Sequence, residues 1–485
     1  MSDWPTFFPS STWHSGHPRP RGKGVTLRQG AVGFDAAVLG TSFNSRDPGV
    51  RPKIIIQAGD VFDVIAAVKL ARTETLQISI CSGGHSWNQN HLRNGGMLLD
   101  LSRLNGIEIH ASRRRAIVGP GASCGDLDRG LKKEGLFFPL GRVADIGLGG
   151  YLLQGGFGYG SRKFGLAVES VEGVDVVLAD GSLVHADARE NSDLYWAARG
   201  AGPGFFGVVV RFHLRLHKRP RVSALQSQVF PMRHLDAVVR WADQIGSEVA
   251  RTVELQFIIT RRAWSMGIFS PGIGLLAPVL ADSWQEARDA TAFIRNSPIR
   301  ALAVRTLPLL PISMALMARL GWVSFFPEGA RWCADNAWLT SPVEDVLPAI
   351  HRVVETLPPA PAHARWLSWH PPAEREDMAF SMESKSYFAC YGTWDNPAED
   401  HVRNRWAGDA MRLFEPHAKG IQLADENLAN RPARFMSDRN FARLQDIRGR
   451  YDPGQRFQSW GGALPVQEVQ TAGTTRKARS SALSA

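Results

Sequence analysis

The chain has 485 residues, 44% of them hydrophobic, with a formal net charge of +10. That length suits two domains, and no apolar run reaches membrane-spanning length. The basic residues fall in short, separated runs (Arg19–Lys23, Arg113–Arg115, His217–Arg221, Arg448–Arg450) with no recognition module, which argues against nucleic acid and leaves only a general pull on anionic substrates.

The N-terminus shows neither a basic n-region nor an apolar h-region, so a cytoplasmic protein without a signal peptide is expected. Four scattered cysteines (Cys81, Cys124, Cys333, Cys390) form no CxxC pair, which argues against a disulfide framework and against a metal site. In chain order, residues 1–30 read as a weakly ordered arm, rich in Pro, Gly and Ser. Arg51–Gln57 reads as a strand, and Asp60 opens a helix with Val61, Val64, Ile65, Val68 and Ala71 on its apolar face. Gln77–Ile80 is a strand that gives way to Cys81-Ser-Gly-Gly-His85-Ser-Trp87. Adjacent glycines at that point let backbone N–H groups approach an anion, and the histidine after them is a ligand, a base or a point of covalent attachment. Strands follow at Gly96–Leu101 and Ala116–Val118, then a short helix around Asp126–Lys133.

A second glycine-rich block, Gly147–Gly160, reads as a loop whose backbone lies against a large flat or charged ligand, because so many glycines suit neither a packed helix nor a plain strand. Val174–Leu178 is a strand turning at Asp180-Gly181, and Asn191–Arg199 is a capped helix ending at Gly200. Gly202-Pro-Gly204-Phe-Phe-Gly207 matches a GxGxxG pattern but follows a helix and opens a strand, Gly207–Leu216. A dinucleotide fingerprint needs the reverse order, so a Rossmann NAD site is rejected.

The ordered set Ser82-Gly-Gly-His85, Asp100–Asn105, Gly147–Gly160, Arg162–Leu166, Ala179–Gly181, Asp193–Gly200, Gly204–Val209 and the closing Asn440–Phe457 resembles the berberine bridge enzyme-like group of FAD-linked oxidases, within the vanillyl-alcohol oxidase/p-cresol methylhydroxylase (PCMH) flavoprotein superfamily. The resemblance implies an α+β fold. A PCMH-type FAD-binding domain is built from 31–217 and 425–465, with an inserted α/β substrate domain over 218–424, an antiparallel sheet backed by helices, and a disordered tail over 466–485. FAD contacts are expected from Ser82, Gly83, Gly84, His85, Ser86, Leu101, Ser102, Gly147, Gly149, Gly150, Gly155, Gly156, Gly158, Gly165, Leu166, Gly207, Val208 and Val209. His85 stands where the family bonds its histidine covalently to the flavin 8α-methyl group, and imidazole is a suitable nucleophile for that bond.

Three departures stand out. Val143 replaces the second, cysteinyl attachment of many relatives, so a single link is expected; Cys81 replaces a common arginine; and Gly420–Leu428 replaces the family's Tyr-x-Asn segment. In the inserted region, strands are expected at Val253–Ile259, Trp366–His370 and Ser386–Tyr391, with helices at Leu235–Glu248, Ser283–Ile294, Val343–Thr356 and Asp400–Leu413. One or two of its tryptophans are expected to line an apolar pocket. A base must take a proton while hydride leaves, and the candidates are Tyr391, Asp425, Glu383 and His370. The expected activity is oxidation of an alcohol, amine or hydroxylated ring of a small or secondary-metabolite substrate, with O2 as acceptor and a monomer or homodimer as the working form. Alternatives are an oxidative cyclase, a dehydrogenase with poor O2 reactivity (Ile146 is bulky beside the flavin), or a flavin-fold ligand binder.

Overall fold

A computed structural model describes residues 24–461 other than Glu328, with all their side chains except those of Ser265 and Trp322. The tail at 466–485 and residues 1–23 of the expected arm lie outside the described residues. The end of that arm departs from expectation: Val25–Arg28 is a strand, β1.

β1 pairs antiparallel with β2 (Ile54–Gln57), which with β3 (Ile78–Cys81) and β4 (Met97–Asp100) makes a sheet of order β1-β2-β4-β3, with β4 parallel to both β2 and β3. Parallel strands are covered on both faces, which explains their unbroken apolar runs. Ile54, Ile56, Met97 and Leu99 meet Val64, Val68 and Ala71 of the helix Val61–Thr73, while Ile55 and Leu98 meet Phe34 and Val38 on the other side. Asp60 caps that helix, its carboxylate accepting from Phe62 N and Asp63 N at 2.8 and 3.0 Å.

A second, antiparallel sheet joins β5 (Ile107–His110), β6 (Arg115–Val118), β8 (Val171–Val177), β9 (Leu183–Asp187) and β10 (Val208–Arg215) in the order β5-β6-β10-β8-β9, while β7 (Leu136–Phe137) pairs with β11 (His217–Lys218). The hairpin between β8 and β9 turns at Gly181, whose φ of 86° is open to glycine without strain. Asn191 precedes the helix Ser192–Ala198 without capping it: its amide donates to His185 O at 2.6 Å instead.

The glycine-rich block is not all loop. Leu148–Leu153 is helical, because Gly149 lets its backbone press on the preceding loop: a Cβ there would lie 2.6 Å from Ser82 Oγ and 2.9 Å from Pro120 Cβ.

The remaining strands, β12 (Val222–Pro231), β13 (Leu255–Thr260), β14 (Gly272–Ala281), β15 (Arg305–Pro311), β16 (Arg331–Leu339), β17 (His363–Ser368), β18 (Ser386–Trp394) and β19 (Ala418–Gly420), form one antiparallel sheet of order β15-β12-β14-β13-β17-β18-β16-β19. Alternation along each strand divides its two faces. Phe257, Leu275, Trp366 and Phe388 pack on the helices Leu235–Ile245, Val343–Thr356 and Asp400–Arg412, and Ile258, Arg365, Tyr387 and Tyr391 face the other way, toward the glycine loops. The expected helix over Ser283–Ile294 is two short ones, Trp284–Ala290 and Ala292–Arg295.

The C-terminal segment returns to the first sheet. Phe457 bridges Ile78 in parallel, with Ile78 N donating to Arg456 O at 2.8 Å and Gln458 N to Ile78 O at 2.9 Å.

Candidate active site

One cavity of about 550 Å³ runs between the glycine loops and the open face of the large sheet. Its first wall is backbone: Ser82–Ser86, Gly147, Gly149 and Gly150, with Leu101, Pro120, Gly207, Val209, Gln458 and Ser459. Glycine is required where the two loops touch. A Cβ at Gly83 would lie 2.4 Å from Gly147 N, and one at Gly84, whose φ is 70°, would lie 2.2 Å from Thr41 O. This wall fits an extended, flat cofactor such as FAD, because it presents bare backbone along its length. Gln458 also keeps a buried Oε1 there that has no hydrogen-bond partner among the described residues.

His85 projects into this cavity. Phe43 stacks on its ring at 4.9 Å with 10° between planes, and Nε2 lies 3.2 Å from Asp145 Oδ2. Burial pushes the Asp145 carboxyl up, yet its hydrogen bond with His85 outweighs this and leaves it below the ordinary range. Fixing Nε2 leaves Nδ1 as the nitrogen able to bond a ligand. Val143 and Ile146 line the cavity beside it; Cys124 does not, and burial raises its thiol to about 12.

On the opposite wall, Asp425 gathers three donors. Trp87 Nε1 donates to Oδ1 at 2.7 Å, Tyr391 OH donates to Oδ2 at 2.7 Å, and Tyr387 OH donates to the same Oδ2. Burial first, then the adjacent carboxylate, push both phenols well above the ordinary tyrosine range. Arg365 holds its guanidinium 5.6 Å from the Tyr391 ring centroid, and its buried Nε has no partner among the described residues. His363 stacks on Tyr391 at 4.8 Å, and burial lowers it to about 3, so it stays neutral. The segment Gln422–Asn427 that carries Asp425 is pinned from two sides. Asn336 Nδ2 donates to Gln422 O and Asp425 O, both at 2.9 Å, and Asn88 and Asn90 donate to Glu426. The stretch that replaces the family's Tyr-x-Asn segment therefore still floors the cavity, with Gln422, Ala424 and Asp425 in its lining.

Two of the four expected bases lie elsewhere. The Glu383 carboxylate is held by Arg375 through Nη2 at 2.9 Å and through Nε, and by Trp369 Nε1 at 2.8 Å, and it does not line the cavity. His370, two residues beyond the end of β17 and with a φ of 46°, lies against Gly246, also outside the cavity. Of the expected FAD contacts, Ser102, Gly155, Gly156, Gly158, Gly165, Leu166 and Val208 do not line this cavity. A Cβ at Gly156 would meet Ala167 Cβ at 2.4 Å, one at Gly158 would meet Leu140 O at 2.0 Å, and Leu166 is buried between the two halves of the chain. The GxGxxG look-alike does follow a helix and precede β10. Its Gly204 is needed because Trp460 packs on it, 2.0 Å from where a Cβ would be. Trp332, Trp338, Trp366 and Trp369 are fully buried core and do not line the cavity; its indole is Trp87. Trp87, Tyr387, Arg365 and Asp145 join the site beyond the expected residues, and the four-residue spacing of Tyr387 and Tyr391 on one strand is the sequence signal that places both phenols on the same face.

Residues 52–187 match the family described as "FAD binding domain". The chain is 32% identical over 422 residues to the FAD-linked oxidoreductase nodO of Hypoxylon pulicicidum, covering 86% of this chain and 92% of that one. It is 30% identical over 441 residues to the FAD-linked oxidoreductase ptmO of Penicillium ochrochloron, covering 89% and 95%. Among solved structures it resembles 6-hydroxy-D-nicotine oxidase from Arthrobacter nicotinovorans, with a TM-score of 0.77, 22% identity, and coverage of 90% of this chain and 96% of that chain. A berberine bridge enzyme-like protein of Physcomitrella patens gives a TM-score of 0.76 at 19% identity, with the same coverage. With this relationship over nearly its whole length, the chain belongs to the FAD-linked oxidoreductases, and it shares the fold of the berberine bridge enzyme-like proteins.

Proposed function

We propose that the chain oxidises an alcohol, amine or hydroxylated ring of a small or secondary-metabolite substrate, with FAD bonded once, through His85. The observation that carries this reading is the Asp425 carboxylate shared by Tyr391, Tyr387 and Trp87 across the cavity from His85. FAD, when bound, supplies the hydride acceptor and passes the electrons on to O2.

Everything else is asked of the chain's own residues. Tyr391 is too reluctant an acid to stand as a free phenolate, so its hydroxyl acts as a relay. It receives the substrate's O–H or N–H proton while its own proton passes to Asp425 Oδ2 along the existing 2.7 Å hydrogen bond. Arg365, over the ring face, stabilises the negative charge that develops on the phenol during that exchange. Tyr387 and Trp87 hold the carboxylate in line, and their aromatic bodies keep water from it. Asp145 and Phe43 fix the His85 ring with one nitrogen committed, which suits attachment through the other.

A dehydrogenase with slow O2 turnover is the second reading, favoured by the Ile146 side chain in the cavity wall. Acid precipitation tests the attachment: flavin fluorescence is expected in the pellet of the wild type and in the supernatant for His85→Ala. Pellet fluorescence that survives in His85→Ala refutes the assignment. Bleaching of the holoenzyme under anaerobic conditions by a library of alcohols and amines, followed by air, separates oxidase from dehydrogenase.

A further inference from the structure

The cavity does not end at Tyr391 and Asp425. It continues along the open face of the large sheet past Val229, Ile258 and Leu276, and emerges between the edge strand β15 and the helix Met314–Phe325. Four large apolar side chains line this outer end, and all four are well exposed: Leu307 and Leu310 of β15 at 41% and 45%, Leu316 and Leu320 of the helix at 45% and 38%. The helix carries a single charged residue, Arg319, among its twelve. Scattered exposed leucines need no explanation, but leucines converging from two elements on the mouth of one cavity mark a surface that another apolar surface covers.

The polar groups of the cavity lie at its other end. Arg365, Gln256, Tyr391 and Asp425 surround the inner part, and the outer arm is hydrocarbon apart from Ser227 and Gln228 of β12, which pair with Leu307 and Thr306. A ligand matched to both ends carries one hydroxyl or amine on a large apolar body. A sugar or other polyol would leave its hydroxyls unpaired along the arm, at a cost of one lost hydrogen bond each.

We propose that the arm between β15 and the helix Met314–Phe325 receives the hydrocarbon body of the substrate, which is therefore a bulky amphiphile presented to Tyr391 by its single polar end. The continuity of this arm with the cavity that holds His85 and Tyr391 identifies the substrate, and not a protein surface, as its occupant. The proposal rests on the preceding reading only in taking the Tyr391 end as the reacting end.

The test uses the FAD-loaded protein and a neutral fluorescent probe, N-phenyl-1-naphthylamine. Saturable binding at one site per chain is expected. Straight-chain primary alcohols should displace the probe with an affinity that rises about fourfold for each added methylene until the arm is filled, and glycerol and glucose should not displace it. Leu310→Glu and Leu316→Glu place a charge at exposed positions, so the fold and the flavin spectrum are retained while probe affinity falls at least about tenfold, the effect of a charge in an otherwise apolar contact.

Unsaturable binding, displacement by glucose, or unchanged affinity in both variants overturns the proposal. So does a wild-type dimer that Leu316→Glu splits on light scattering, or wild-type co-sedimentation with phosphatidylcholine vesicles that Leu316→Glu abolishes, since these assign the face to a second copy or to a bilayer. None of these readouts needs turnover. If Tyr391 and Asp425 prove not to be the base, anaerobic bleaching in their variants reveals it while the probe result stands.

Discussion

Asp425→Asn tests the relay most directly, because the amide keeps the shape of the carboxylate and removes its charge. Oδ1 still accepts from Trp87, but the group that replaces Oδ2 is a donor facing two phenol hydroxyls that both need an acceptor. Hydrogen bonds to a charged acceptor are worth about 1.5–3 kcal/mol each, and the phenols can turn to accept from the amide, so the fold survives with a small fall in melting temperature. Proton transfer does not survive as well. Tyr391 loses the carboxylate placed to take its proton, and a positioned base contributes on the order of 10²–10⁴ in rate. Anaerobic stopped-flow measurement of flavin bleaching is the assay, with substrate affinity taken from the concentration dependence of the same traces. A fall of about a hundredfold or more in the limiting rate, with affinity nearly unchanged, is expected. Tyr391→Phe should cost a similar factor, and the double variant little more than the worse single one, because groups that act as a unit are not additive. Bleaching of Asp425→Asn within about threefold of the wild-type rate, or additive losses in the double variant, would refute the relay.

Two further outcomes follow from the packing around the cavity. Gly83→Ala brings a Cβ to 2.4 Å from Gly147 N and 2.5 Å from Gly147 Cα, both backbone atoms, so the two FAD-facing loops must part; a sharp fall in the flavin-to-protein absorbance ratio is expected, and a full complement of flavin would disprove the claim. Glu426 is raised by burial from 4.5 to about 7, so the folded state holds its proton more tightly than the unfolded chain does. Its contribution to stability is therefore complete below pH 4.5 and is lost as pH rises through 7, by about 3 kcal/mol over that window. Glu426→Gln should melt with a shallower decline than the wild type between about pH 5 and pH 8; parallel curves would contradict the assignment.

Local chemistry made part of this structure legible in the sequence. The helix after Asp60 shows its cap and its apolar face, the β8–β9 turn shows Asp180-Gly181, and the Ser82–His85 loop shows its glycines immediately after a strand. The strands β14 and β16 are buried along nearly their whole length, so β14 is an unbroken apolar run without alternation, and β12 masks its alternation by placing Gln226 and Gln228 at buried positions. The helix Leu148–Leu153 was hidden by glycines whose role is close backbone approach. The Asp425 cluster is beyond any local pattern: its donors lie 338, 38 and 34 residues away in sequence. Glu383 misleads for the same reason, since its fate is set by Arg375 and by Trp369, and nothing in their spacing announces that all three meet away from the cavity.

The joining of Phe457 to β3 bears on how the protein comes to be made. Gln458 and Ser459 complete a wall whose other pieces, Ser82–Ser86 and Gly147–Gly150, are synthesised more than three hundred residues earlier. A growing chain can therefore form the central strands of its first sheet and both glycine loops long before it can enclose a cofactor. Enclosure of a cofactor waits for Gln458 and Ser459, so flavin retention reports that synthesis has passed them. A chain cut short before Arg456 would lack both the piece that closes the wall and the strand partner of Ile78.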